Sequence, residues 1–146
     1  MPPDHGCFYC VKDQRLSDLM IKVGDLSATT LYLFKDQTYR GRCIVALKEH
    51  KRELFELTPE EKNAWVDDVA RTAQALTTLF APGKINYAAY GDKVSHFHMH
   101  LVPKYETGPL WGSAFEMSPS EKKFLSEGEY QSTISKIRTF LAITAL

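Results

Sequence analysis

The eight residues His96-Phe97-His98-Met99-His100-Leu101-Val102-Pro103 make sense on only one regular backbone. Successive side chains of a β-strand point to opposite faces. An extended chain therefore groups His96, His98 and His100 on one side and Phe97, Met99 and Leu101 on the other. A helix would scatter both sets around its circumference. The segment predicts a strand with an apolar face toward a core and an imidazole face toward a site. Pro103, with no N–H to give a ladder, is expected to end it. A lone strand histidine is ordinarily a satisfied or solvent-facing ring. Three of the chain's five histidines within five residues, at strict alternation, point instead to chemistry. Imidazole offers metal ligation, acid–base work and nucleophilic attack, and spacing alone leaves the three open.

Around this strand, apolar runs alternate with turn signals. Leu19 to Val23 is stopped by Gly24-Asp25, and Thr30 to Phe34 by Lys35-Asp36-Gln37. Cys43 to Leu47 follows Gly41, and Ile85 to Tyr90 precedes Gly91-Asp92. Connections this short suit antiparallel pairing rather than helical crossovers. Thr58-Pro59-Glu60-Glu61 is a capping box with proline at the first helical position. Trp65, Val69, Ala73, Leu76 and Phe80 then recur at spacings of three and four, one core-facing stripe that ends at Ala81-Pro82-Gly83. Ser118-Pro119-Ser120-Glu121 reads as a second capping box, opening a short helix that ends near Gly128. Tyr130, Ile134, Ile137 and Leu141 define a last amphipathic helix. Trp111, in a Gly/Pro-marked loop, covers a site, meets a second subunit or packs on its own loop. The expected fold is α+β: one domain over residues 1–146, with a mostly antiparallel five-stranded sheet, one long helix and C-terminal helices.

Composition removes several function classes. Lysine plus arginine and aspartate plus glutamate stand at 18 each, so there is no broad basic field for a nucleic acid polymer. No apolar run approaches the roughly 20 residues that span a membrane. Met1-Pro2-Pro3-Asp4-His5 lacks the features of a signal peptide. An odd cysteine count, three, argues against a disulfide framework and for a reducing, cytoplasmic setting. Cys7-x-x-Cys10 has no preceding strand of the kind a thioredoxin-type pair requires. It fits half of a zinc site, or two half-buried thiols near a terminus. Cys43 reads as plain core.

The run H-φ-H-φ-H-φ-φ, with φ apolar, resembles the signature of the histidine-triad superfamily, and the likeness spans roughly Cys7 to Lys104. It implies a homodimer whose two sheets join edge to edge. It also implies a catalytic set of His96, His98 and His100, in which His98 takes a nucleotidyl group from the α-phosphate of a nucleotide substrate. His100 would hydrogen-bond the departing atom. Asn86 matches a residue that contacts the ribose-phosphate, and Asp36 stands near the ribose-binding position, where a turn-forming role is the alternative. Gly91, Lys93 and Ser95, in the turn before the histidines, are further nucleotide-binding candidates. Aspartate at position 92 departs from the family's usual asparagine and carries no assigned role. Some relatives complete the C-x₂-C half-site with a histidine and the first triad histidine, which here gives Cys7, Cys10, His50 and His96 as ligands to a structural zinc. His50 and His96 are also what remains once His5 is judged too near Cys7 and the other two triad residues are engaged. The activity so implied is hydrolysis at the α-phosphate of dinucleoside polyphosphates or nucleoside phosphoramidates. Transfer to a phosphorylated acceptor, non-catalytic nucleotide binding and a metal enzyme using all three histidines stand as alternatives.

Overall fold

The computed structural model describes residues 5–144. A single five-stranded antiparallel sheet organises them, built from β1 (Met20–Asp25), β2 (Thr29–Phe34), β3 (Cys43–Leu47), β4 (Lys84–Ala88) and β5 (His98–Lys104) in the order β1-β2-β3-β5-β4. Four helices accompany it: α1 (Phe8–Val11), α2 (Gln14–Leu19), α3 (Pro59–Phe80) and α4 (Glu127–Leu141), with a 3₁₀ turn at Leu54–Glu56. The fold is the α+β architecture expected, with one C-terminal helix instead of several.

β5 lies between β3 and the edge strand β4, so the histidine strand is hydrogen-bonded on both sides. His98 pairs with Ala46, Met99 with Val45, His100 with Ile44 and Leu101 with Cys43. The alternation has the expected consequence. Leu101 is fully buried in the core shared with α3 and α4, and Phe97 and Met99 pack against that core from half-buried positions. The opposite face carries a second cluster, in which Cys7 and Tyr9 from the N-terminal segment cover Tyr32, Ile44 and Ala46. Both faces of β3 are thus covered, so all five of its residues are buried, as its uninterrupted apolar run requires.

The long helix starts where its cap dictates. The Thr58 side chain accepts from the Glu61 backbone N–H and Glu61 reciprocates, with Pro59 at the first helical position. Trp65, Ala73 and Leu76 are buried along its inner stripe, each large side chain contributing about 1.5–3 kcal/mol by leaving water. Buried Asp68 ties the helix to the β1–β2 turn, accepting from Ser27 N, Ala28 N and Thr29 Oγ1 at 3.2, 2.9 and 2.8 Å.

Two local expectations are corrected. The strand begins at His98, not His96, and runs through Pro103 to Lys104. Pro103 lies beyond the Cys43–Leu101 pair that ends the β3 ladder, so its missing N–H faces no partner strand. The box at Ser118 to Glu121 opens no helix. Its segment is pinned in irregular form to the β2–β3 turn, with Gln37 N donating to Lys123 O (2.7 Å) and Lys123 N to Asp36 Oδ1 (3.1 Å). The operative capping box is Ser126 with Glu129, which opens α4 with Gly128 inside it. The α4 stripe of Tyr130, Ile134, Ile137 and Leu141 is buried as its spacing predicts.

Candidate active site and metal centre

The histidine face is divided between two adjoining sites. His96, immediately before β5, is 1% exposed and turns away from the cavity. Its Nε2–H donates to the Leu47 carbonyl at 2.7 Å, which leaves the Nδ1 lone pair bare. That nitrogen lies 3.4 Å from Cys7 Sγ, 3.6 Å from Cys10 Sγ and 3.2 Å from His50 Nδ1, and Cys10 Sγ is 3.2 Å from His50 Nδ1. All four donor atoms lie within 4.8 Å of one another. A tetrahedral ion with bonds of about 2.0–2.3 Å spaces its ligands about 3.3–3.8 Å apart. The donor set and its spacings therefore fit one such ion, and the four residues can hold a metal. Burial raises the Cys7 thiol above its ordinary range and lowers the His96 imidazolium, so a cation entering here would displace thiol protons. Cys7 and Cys10 reach this point because Cys7 is the N-cap of the single-turn α1 and Cys10 lies within it; the turn closes at Lys12, in the left-handed region, whose N–H donates to the Phe8 carbonyl.

His98 faces the other way, into a cavity of about 510 Å³, within the range of small-molecule sites. Its Nδ1–H donates to the His96 carbonyl at 2.7 Å, so Nε2 carries the free lone pair. Burial lowers its imidazolium below the usual range, the His96 carbonyl opposing in part, and the ring rests neutral. The Tyr9 ring packs on it with centroids 5.1 Å apart, and on His96 at 5.2 Å. One aromatic residue thus touches both sites.

His100 also lines the cavity. Arg42, fully buried at the head of β3, places Nη2 3.2 Å from His100 Nδ1. Its guanidinium lies over Phe34 at 4.2 Å and Phe115 at 5.2 Å, and Nη1 donates to the Met117 carbonyl. Burial pulls the Arg42 group down to about 10, opposed by nearby Asp36, so it remains charged at neutral pH. Burial and the Arg42 charge together press His100 down to about 3.

The remaining cavity wall combines apolar side chains, Phe8, Leu19, Phe34 and Ile44 among them, with polar ones, Asp36, Asp92, Lys93 and Lys122 among them. Asp36 makes the turn and also lines the cavity. Oδ1 accepts from Thr38 N, Thr38 Oγ1 and Lys123 N, a turn-forming role, while Oδ2 is buried without a partner and the residue lines the cavity. Gly91 and Lys93 line it too, Gly91 at φ +115°, a conformation that favours glycine. Asn86 and Ser95 do not. Asn86 stands on β4 opposite Val102, two residues along from the Ala88–His100 pair. Trp111 packs against Gly83, away from the cavity. Tyr9, Arg42, Phe115, Met117 and Lys122 were not marked by sequence. Only the burial of a charged residue beside an apolar strand could have marked Arg42, and a sequence does not display burial.

Among the described residues no helix is long and apolar enough to cross a membrane. A sequence model of the HIT domain matches residues 20–107. An adenosine 5'-monophosphoramidase of Schizosaccharomyces pombe is 26% identical over 131 residues, covering 84% of this chain and 94% of that protein. A histidine triad protein from Marinobacter aquaeolei superposes with a TM-score of 0.80 at 23% identity, over 89% of this chain and 94% of that one. A zinc-bound histidine triad family protein from Mycobacterium smegmatis superposes at 0.60 and 22% identity, over 84% of each. A sheet of this order, a histidine strand inside it beside the edge strand β4 and a domain match over more than half the sequence agree: the chain belongs to the HIT domain family.

Proposed function

We propose that this protein is a nucleotidyl hydrolase that cleaves at the α-phosphate of nucleoside phosphates through a covalent intermediate on His98. One observation carries the reading: His98 Nδ1 is committed to the His96 carbonyl while the ring lines the cavity. A neutral imidazole held in that tautomer offers Nε2 as a nucleophile without first losing a proton. Its lone pair forms the bond to phosphorus, the leaving group departs with the electron pair of the broken bond, and water then releases the nucleotide. His100, which lines the same cavity, would hydrogen-bond the phosphoryl or departing oxygen. Activity in the S. pombe relative, named an adenosine 5'-monophosphoramidase, supports the reaction class.

The cavity supports the substrate class. Its apolar wall suits a base, and Asp36 Oδ2, buried and unpartnered, suits a ribose hydroxyl that would donate to it. Lys93 and the turn at Gly91 stand where phosphate oxygens would be met. Dinucleoside polyphosphates and nucleoside phosphoramidates both fall within this description. A zinc ion held by Cys7, Cys10, His50 and His96 would have a structural role, since four protein donors leave no open position for water. It would tie the N-terminal segment to the sheet and fix His96, whose carbonyl orients His98. A homodimer through the free edge of β4, where Tyr87 is exposed, and a cytoplasmic location suited to three unpaired cysteines complete the proposal.

The test is a panel of diadenosine polyphosphates and adenosine phosphoramidates on wild type and His98→Asn, with mass spectrometry of quenched reactions. Turnover by the wild type, its loss in the variant and a nucleotidyl adduct on His98 are expected. Full activity in the variant, or an adduct on another residue, overturns the assignment.

A further inference from the structure

The proposed nucleophile has a partner whose chemistry is decided by a residue outside the cavity. A guanidinium has five N–H donors and no acceptor. Arg42 Nη2 is 3.2 Å from His100 Nδ1, so that nitrogen must accept, and the ring's one proton sits on Nε2. No alternative arrangement is at hand. Arg42 is fully buried, held over Phe34 and Phe115 and tied to Met117 by Nη1 to the backbone carbonyl and Nη2 to Sδ. The groups facing His100 are Arg42 beside β3, His98 along β5, Phe34 at the end of β2 and Phe115 in the segment before α4. None of them is a carboxylate that would stabilise an imidazolium.

We propose that Arg42 is a positioning residue that locks His100 as a neutral Nε2–H donor, and that the protein therefore acts on nucleotides whose leaving group departs as an anion. This rests on the reading of His98 as nucleophile. In the first step the Nε2 lone pair of His98 bonds to the α-phosphorus. The bond from phosphorus to the bridging oxygen breaks, and its electron pair stays on that oxygen. A phosphate or polyphosphate leaves as a stable anion and needs no proton; the His100 N–H hydrogen-bonds and is not transferred. Water then adds to phosphorus, the electron pair of the P–N bond returns to His98 Nε2, and the surplus proton passes to solvent. An amine leaving group differs. It cannot depart as an amide anion, so P–N cleavage requires a proton, and a neutral imidazole, which would be left as an imidazolate, is too weak an acid to give up its Nε2–H. The substrate class is accordingly the phosphoanhydrides, dinucleoside polyphosphates above all, with alkyl phosphoramidates of the same nucleotide discriminated against.

Two measurements test this. Nitrogen-15 NMR of histidine-labelled wild type reads the tautomer directly and needs neither a variant nor a substrate. His100 is expected to show a bare Nδ1 and a protonated Nε2 at neutral pH, and a protonated Nδ1 overturns the inference. The second compares kcat/KM for diadenosine tetraphosphate and for the N-ethyl phosphoramidate of AMP. Wild type should favour the anhydride by at least about 10²-fold, the lower range of what general-acid assistance supplies. Arg42→Lys, whose ammonium also only donates, should keep the His100 signature and the preference. Arg42→Gln removes the positive charge and supplies an amide oxygen that accepts from Nδ1–H, so His100 can carry protons on both nitrogens; its imidazolium Nε2–H then gives the amine a proton, and the ratio should narrow at least about tenfold. Equal use of the two substrates by wild type, or the same ratio in the Gln variant, overturns the inference. Cleavage of neither substrate, with the tautomer as stated, overturns the nucleotidyl-hydrolase reading and the substrate preference with it.

Discussion

His98 donates its Nδ1 proton to the backbone carbonyl of His96, 2.7 Å away, so the residue that closes the four-donor cluster also orients the proposed nucleophile. The two histidines are two positions apart, His96 in the donor cluster and His98 in the cavity wall. Because the link runs through a backbone carbonyl, altering the His96 side chain changes the metal cluster without deleting the acceptor that holds His98. Any effect of such a change on turnover must then arise from movement of the backbone.

The first prediction concerns His98 itself. His98→Asn should lower turnover by at least about 10³-fold, the scale on which losing a covalent route is felt. Stability should barely change, since the ring is half-buried at the cavity wall. Steady-state rates, paired with a thermal melt, separate the two effects; a melt that collapses together with the rate would assign His98 a packing role instead.

The cluster gives the second. Protein purified without added metal should contain about one equivalent of zinc, and Cys10→Ser should reduce it below about a tenth of an equivalent. The same variant should lower the melting temperature, since α1 has one turn and Tyr9 reaches the sheet only through that segment. Elemental analysis and calorimetry read these separately. Unchanged zinc in the variant would rule out these ligands.

Packing on the far side of the histidine strand gives a third. Leu101 is fully buried, and Leu101→Ala should cost about 2–5 kcal/mol. Phe97 is half-buried, edge-on to Trp65 with centroids 4.9 Å apart, so Phe97→Ala should cost less, about 2–3 kcal/mol. Urea titration of both variants checks the order, and a larger loss at Phe97 would contradict the register of β5.

How much of this was legible in the sequence depends on how local each feature is. The histidine strand, the β3 run and the α3 cap could be read directly, because their periodicity and capping are set within a few residues. The failed helix at Ser118 shows the limit. Its capping box is sound locally, yet Lys123 exchanges hydrogen bonds with Asp36 and Gln37, more than eighty residues earlier, and those tertiary bonds prevail over the local signal. Asp36 was ambiguous for a related reason. One oxygen makes the turn that a sequence can show, while the other meets a cavity that only the fold creates. Arg42 was invisible. Beside an apolar strand an arginine reads as a solvated strand entrance, and its burial depends on Phe115 and Met117, which arrive from a distant segment.

The last prediction follows from His100. Its folded-state value is depressed to about 3, first by burial, then by the Arg42 charge and by His98, whereas an unfolded histidine titrates near about 6.5. Between those values the unfolded chain binds the extra proton and the folded chain does not. The unfolded state is therefore favoured as pH falls. The stability His100 confers is fully present above about pH 6.5 and declines as the pH drops from there toward 3. His100→Gln should remove that part of the acid sensitivity, so the stability of wild type and variant should converge as pH is lowered from 7 to 4. Chemical denaturation at several pH values measures it. Parallel pH profiles for the two proteins would show that His100 takes up its proton equally readily folded and unfolded, and that Arg42 does not hold it neutral.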